Sequence, residues 1–324
     1  MPPLDERAFI LLGALLLDAL IGDPDWLWRR LPHPVALMGR FIAFLDKELN
    51  RPALVDPVRR LAGAVALAIL LSVAGGIAIG TGLLLWTFPL GGAFEAIVVA
   101  VFLAGRSLYD HVSAVANALA ADGLDGGRAA VARIVGRDPA TLDEAGVCRA
   151  AIESCAESFA DGIVAPAFWY LIGGLPALIV YKAINTADSM IGYRNETYSA
   201  FGWAAARLDD LVNWIPARLT GGLLVASAAL SGRSASLSFK VMWQDARKHT
   251  SPNAGWPEAA MAGALGIALA GPRVYEGQTV EGAWLHADGR RNADAADIRG
   301  ALRLLVVGSA VQAGAVAALF MLAL

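Results

Sequence analysis

The chain has 324 residues, of which 57% are apolar and only 17% charged, and its mean hydropathy is +0.54. That composition excludes an ordinary soluble globular protein, a disordered chain and, with no collagen-type or heptad repeat, a fibrous one. With 26 basic against 29 acidic residues and a net charge of −3, it offers no broad cationic surface to a nucleic-acid backbone, so no nucleic acid is expected as a partner.

At the N-terminus Asp5, Glu6 and Arg7 precede an apolar run at 8–21 that Asp18 interrupts. Without a positive leader this run predicts an uncleaved anchor and not a secretory signal. The loop that follows, IGDPDWLWRRLPHPVALMGR, sets Asp23, His33 and Arg40 among prolines. Rigid loops of this kind line binding sites, although Trp26 and Trp28 need only be interface anchors. The run 61–88 can cross a bilayer core with tilt, whereas 93–104 is shorter and carries Glu95. Pro89-Leu90-Gly91-Gly92 predicts a tight turn between them. That hairpin puts Arg59 and Arg60 on the side of Arg106, and the positive-inside rule then turns the loops 22–60 and 105–162 toward the cytoplasm.

In TLDEAGVCRAAIESCAESFADG, 141–162, Thr141 with Glu144 three positions later predicts a helix start, and Gly162 predicts its stop. Arg149, Glu153, Glu157 and Asp161 then fall at i, i+4 steps on one face. Each like-charge pair costs roughly 0.2–0.5 kcal/mol in water and more near lipid. Either a divalent ion such as Mg²⁺ or neighbouring arginines would neutralise the ladder, the plain alternative being a solvated acidic face. Cys148 and Cys155 would lie about 10 Å apart along this helix, too far for a disulfide. The four histidines are scattered and no CxxC or HExxH spacing occurs, so there is no zinc signature.

The run 163–184 has spanning length, but Gly173-Gly174-Leu175-Pro176 predicts two half-helices or a re-entrant pair. Beyond it, YKAINTADSMIGYRNETYSAFGWAAARLDD, 181–210, concentrates Lys182, Asn185, Asp188, Arg194, Asn195 and Glu196. If the run doubles back at its glycines, this cluster returns to the face of Glu153, Glu157 and Asp161; if it crosses straight through, the bilayer separates them. An interfacial loop with snorkelling cations is the alternative.

The runs 219–230 and 259–270 are short for spans and are expected to form embedded or interfacial hairpins. QDARKHTSPNAGWPEAAMAGALG, 244–266, places Asp245, Arg247, Lys248 and His249 ahead of Asn253 and Glu258. Adjacent basic side chains clamp a phosphate or carboxylate, or simply anchor at a membrane surface. The run 302–324 predicts a final spanning helix with Arg299 and Arg303 as cytoplasmic anchors. No internal repeat or linker interrupts 1–324, which reads as one domain. GxxxxGK[ST], GxGxxG after a strand and GxSxG are all missing. Composition and spacing therefore end at an all-α, polytopic integral membrane protein with broken or re-entrant helices and charged cytoplasmic loops.

These segments resemble the adenosylcobinamide-phosphate synthase family, also called CobD or CbiB, of cobalamin biosynthesis. The blocks that carry the resemblance are GDP with LPHPV at 22–35, IVGRD at 134–138, AAIES with AE and DG at 150–162, APAFW at 165–169, YKAINTADSMIGYRNE at 181–196, FGWAAARLDDLVNWIPARLT at 201–220 and DARKHTSPNAGWPEAAMAGALG at 245–266. Ser158 departs from the family's more usual Asn, and the tail from about 277 matches loosely. The resemblance implies a multi-pass enzyme of the cell inner membrane with its active site facing the cytoplasm. It would join adenosylcobyric acid to (R)-1-aminopropan-2-ol O-phosphate, or ethanolamine phosphate, through an amide bond, using ATP and Mg²⁺. Other membrane enzymes of cobalamin assembly are the protein partners this implies.

On that resemblance Glu153, Glu157, Asp161 and Asp188 would hold Mg²⁺-ATP, and Lys182, Arg194, Arg247 and Lys248 would contact phosphates or the substrate carboxylate. Asp23, His33, Asn185, Glu196 and Asn253 would complete the binding site. Glu157, Asp161, Lys182 and His249 form the catalytic set, with His249 or His33 taking the proton of the attacking amine. Two other readings are an AmpE-like signalling protein and a corrinoid transporter, the latter because broken helices build midplane sites. The density of charges at 150–196 and 245–258 argues against a sensor, and their place at segment ends argues against a transporter.

Overall fold

The computed structural model describes residues 2–136, 138–275, 278–280 and 282–323. In chain order the helices are α1 (Leu4–Ile21), α2 (Asp25–Trp28), α3 (Pro34–Leu49), α4 (Asp56–Leu85), α5 (Gly91–Val101), α6 (Gly105–Val131), α7 (Glu144–Phe159), α8 (Ala165–Ile191), α9 (Trp203–Val212), α10 (Trp214–Leu230), α11 (Ala235–Asp245), α12 (Gly255–Leu265) and α13 (Ala295–Ala323). A π-helical turn, Ala160–Val164, joins α7 to α8. The strands are short: β1 (Leu269–Ala270) pairs antiparallel with β4 (Trp284–Leu285), and β2 (Arg273–Tyr275) with β3 (Gln278–Val280). Four helical stretches, Asp56–Leu85, Gly91–Val131, Glu144–Ile191 and Ala295–Ala323, are long and apolar enough to cross a membrane. The all-α, multi-pass class read from composition is the class observed.

Within the stretch read as one domain, the fold gathers into two compact units whose segments interleave. The first takes residues 1–104, 165–213 and 316–324; the second takes 105–164 and 214–315. In the first unit, Ala66, Leu70, Ala74 and Ala78 of α4 are buried at four-residue intervals, a stripe that belongs to the unit's core, and α8 is a principal packing partner of this helix. The break foreseen in α8 is present: Gly173 (φ −136°, ψ 20°) and Gly174 (φ 61°, ψ −156°) leave the helical region. Pro176 has no N–H to offer the carbonyl of Ile172. The orphaned carbonyls are taken by buried Arg7, whose Nη1 donates to Leu171 O at 2.5 Å and Ile172 O at 2.7 Å. Glu95, the acid inside α5, accepts from Trp86 Nε1 at 2.7 Å and from the Tyr170 hydroxyl at 2.8 Å.

In the second unit α12 is buried at every position and packs against α7, α10 and α11. Three expectations need correction here. Asp143, not Thr141, caps α7, its Oδ1 accepting the Gly146 N–H at 2.6 Å. Gly162 does not stop the helix: it is buried inside the π turn, where a glycine tolerates helical backbone at a cost of about 1 kcal/mol. The run 259–270 is no hairpin, because Gly266 turns left-handed (φ 69°, ψ 29°) and ends α12 before β1. Cys148 and Cys155 are free and buried.

Candidate active site

In the second unit the acidic ladder is graded by depth. Glu153 is buried, and its Oε1 accepts the N–H of Ala270 at 2.9 Å. Ala270 has φ 59°, a left-handed backbone unusual for an alanine, so the carboxylate holds a strained turn in place. Glu157 is exposed and Asp161 half-buried. The π turn adds a residue to the helical repeat, so Asp161 is not a straight continuation of the ladder. Arg149 leaves the ladder, its Nη1 donating to Arg291 O at 2.6 Å.

The segment 245–258 is rigid for local reasons. Buried Asp245 receives Lys248 Nζ on Oδ1 at 2.6 Å and the His286 N–H on Oδ2 at 2.7 Å. His249 Nδ1 accepts the Ser251 N–H at 3.0 Å, and its Nε2 faces Glu258 Oε1 at 3.7 Å. Ser251 Oγ accepts the N–H groups of Asn253 and Ala254, both at 3.2 Å, ahead of α12. A side chain at Gly255 would overlap the Ala246 carbonyl, which explains the glycine there. Asn253 is buried in this turn.

Arg247 stands exposed on this scaffold. Arg218 of α10 is stacked on the rings of Trp214 at 4.1 Å and Trp256 at 4.5 Å and feels the positive charge of Arg247. Neither guanidinium has a carboxylate partner among the described residues. Since α10 packs on the π turn and on α12, and α12 on α7, these cations and the carboxylates of Glu157 and Asp161 ride on elements packed together. Arg218 escaped the sequence reading; Trp214 one helical turn before it was the available signal.

In the first unit the polar residues of α8 meet α9. Asn185 Nδ2 donates to Asp209 Oδ1 at 3.4 Å, Asn213 Nδ2 donates to the same oxygen at 3.0 Å, and the Tyr181 hydroxyl donates to Asn213 Oδ1 at 3.0 Å. Burial pushes the Asp209 carboxyl up to about 6, against the pull of the Asn213 and Asn185 amides and with a further push from Asp210. Asp209 was not among the residues singled out by spacing, although Asn213 one turn on marked its face. Lys182 and Asp188 are half-buried on α8, while Arg194, Asn195 and Glu196 are exposed in the loop behind it. That loop is pinned by Arg59, which donates to the carbonyls of Glu196 at 3.3 Å and Thr197 at 2.5 Å, and by the Tyr198 hydroxyl on Asp46 at 3.1 Å. His33 precedes α3, which packs against α8; its Nδ1 accepts the Val35 N–H at 3.2 Å and its Nε2 lies 3.6 Å from Asp23 Oδ1.

Thus Glu153, Glu157, Asp161, Arg247, Lys248, His249 and Asn253 belong to the second unit, and Asp23, His33, Lys182, Asn185, Asp188, Arg194 and Glu196 to the first. Among the described residues no three His, Cys, Asp or Glu side chains gather as a ready-made metal site.

Comparison with known proteins gives a coherent answer. The family model described as CobD/Cbib protein matches residues 11–305. The chain is 51% identical over 321 residues to a protein named Cobalamin biosynthesis protein CobD from Sinorhizobium sp, covering 97% of this chain and 98% of the relative. A protein of the same name from Brucella suis biovar 1 (strain 1330) is 51% identical over 323 residues, 97% of each chain. Another, from Rhodobacter capsulatus, is 46% identical over 319 residues, 97% of this chain and 98% of the relative. No solved structure matches the chain.

Proposed function

The chain belongs to the CobD/CbiB family, and from that premise we propose that it acts in cobalamin biosynthesis as an ATP-dependent ligase of the cell inner membrane with its site toward the cytoplasm. The reaction would join adenosylcobyric acid to (R)-1-aminopropan-2-ol O-phosphate or ethanolamine phosphate. The observation that carries this reading is the family match over residues 11–305, with relatives about 50% identical along nearly the whole chain; within the second unit Arg218 and Arg247, neither with a carboxylate partner among the described residues, offer forked donors to a phosphate.

A carboxylate is a poor acyl donor. Its oxygen would take the terminal phosphoryl group of ATP, with ADP leaving; the amine nitrogen would then form the new C–N bond as inorganic phosphate departs, its proton passing to a base. Arg218 and Arg247 would neutralise the phosphates, and Lys248 would add to their field while sharing its charge with Asp245. Glu157 and Asp161 suit Mg²⁺, which takes one or two protein carboxylates and completes its sphere with phosphate oxygens and water. When bound, the ion would offset phosphate charge. Glu153, committed to Ala270, serves as a positioning group in this scheme. The parts given to Lys182, Asn185, Arg194, Glu196, Asp23 and Asn253 in substrate binding, and to His33 or His249 in taking the amine proton, rest on the family resemblance alone, as does the part given to Asp188 in holding Mg²⁺.

The test is product formation from adenosylcobyric acid, ATP and candidate amines, followed by liquid chromatography and mass spectrometry. Glu157→Gln and Asp161→Asn should abolish the amide while leaving the protein inserted, and wild-type turnover in both would remove the metal assignment. Arg247→Gln should raise the KM for ATP by about 10-fold or more, the loss of one charge-assisted hydrogen bond. Corrinoid accumulation in vesicles without amide would favour transport, and absence of substrate-dependent ATP hydrolysis would favour signalling.

A further inference from the structure

The second unit holds a cavity of about 370 Å³, lined on one side by Tyr109 and Asn117 of α6 and on the other by Arg299, Leu302, Arg303 and Val306 of α13. That volume lies at the lower end of small-ligand sites, about 300–1,000 Å³. Arg299 and Arg303 are one helical turn apart, so their guanidiniums repel unless an anion joins them. The nearby acids are already engaged. Asp297 takes Arg290 through two bonds of 2.7 and 2.8 Å, and Asp110 pairs with Arg106 at 2.9 Å. Among the described residues neither Arg299 nor Arg303 has an ion-pair partner.

What lies next to the cations decides the ligand class. Val306, 53% exposed, opens the cavity onto the apolar length of α13, which is long enough to cross a membrane. A ligand here meets Arg299, Arg303, Asn117 and Tyr109 together with the apolar side chains of Leu302, Val306 and Val307. We propose that this cavity binds an anionic phospholipid, its headgroup phosphate between Arg299 and Arg303 and its acyl chains along the Val306 face of α13. A soluble phosphate would satisfy the charges and leave the apolar side chains unused. The site shares no residue with the proposed ligase machinery.

The experiment uses the full chain purified in detergent and equilibrated with phosphatidylglycerol or phosphatidylcholine, bound lipid being counted by native mass spectrometry. Wild type should retain phosphatidylglycerol selectively, and R299Q/R303Q should weaken that retention by about 30-fold, the loss of two interfacial charges, with phosphatidylcholine unaffected. R299K/R303K should keep most of the selectivity, which separates loss of charge from loss of fold. Equal phosphatidylglycerol retention by R299Q/R303Q would overturn the proposal, as would equal retention of both lipids by wild type. Complete displacement of the lipid by millimolar inorganic phosphate would make the ligand a soluble anion and overturn the lipid assignment.

Discussion

His33 and His249 use one local device in two different surroundings. Each turns Nδ1 onto the backbone N–H two residues further along, at 3.2 Å from Val35 and 3.0 Å from Ser251, so the ring proton resides on Nε2. In each the Nε2 faces a carboxylate, Asp23 at 3.6 Å or Glu258 at 3.7 Å. Ring and acid are 24% and 32% exposed in the first pair but 9% and 2% in the second. The difference teaches that one backbone-set ring geometry can serve a pair at the edge of the fold or one sealed in its core, and that only in the second should losing the ring cost much stability.

The largest effect should separate the two pairs on stability. His249→Ala empties the buried ring's volume and strips the Ser251 N–H of its acceptor, a loss of about 2–4 kcal/mol. It should show as a deep fall in the Tm of the detergent-solubilised chain. Glu258→Gln keeps the volume and removes the charge, so it should cost less, about 1–2 kcal/mol. If His249→Ala proved the milder of the two, the imidazole would not be what holds 249–258.

A smaller change sharpens the contrast from the other side. His33→Ala breaks a pair whose acid is a third exposed, worth about 0–1 kcal/mol, so Tm should barely move. Turnover in the amide assay should nevertheless fall by about 100-fold if His33 takes the amine proton on Nδ1, releasing the Val35 N–H it accepts. A Tm loss as deep as that of His249→Ala would erase the distinction between the two sites.

The features legible in the sequence were those that act locally. Gly173, Gly174 and Pro176 break α8 whatever surrounds them, and an i, i+4 ladder of acids is visible by counting. What escaped depends on partners far along the chain. Arg7 reaches carbonyls 164 and 165 residues away, Glu153 is spent on an amide 117 residues away, and Arg218 owes its orientation partly to Trp256. The interleaving of two units left no linker to read, and the π turn that swings Asp161 has no sequence marker. The family resemblance quoted 201–220 as a block without singling out Asp209 or Arg218, because a match along the chain carries no contacts.

Asp209 offers the finest test, since its partners are neutral amides where the histidine pairs place an imidazole. Its carboxyl has an ordinary value of 3.8 and is raised to about 6 in the fold, burial outweighing the Asn213 and Asn185 amides. A raised acid means that the native state keeps a proton the unfolded chain has already lost. The group therefore favours the fold fully below about pH 4, and that contribution is lost as the pH rises through about 6. Asp209→Asn should remove this slope. Between about pH 4 and 6.5 the wild-type Tm should decline relative to the variant, and near pH 7.5 the variant should be at least as stable. A variant clearly less stable near pH 7.5 would show that the ionised carboxylate is the form the native partners hold, which would move Asp209 from the desolvated acids to the partnered ones, alongside Glu258.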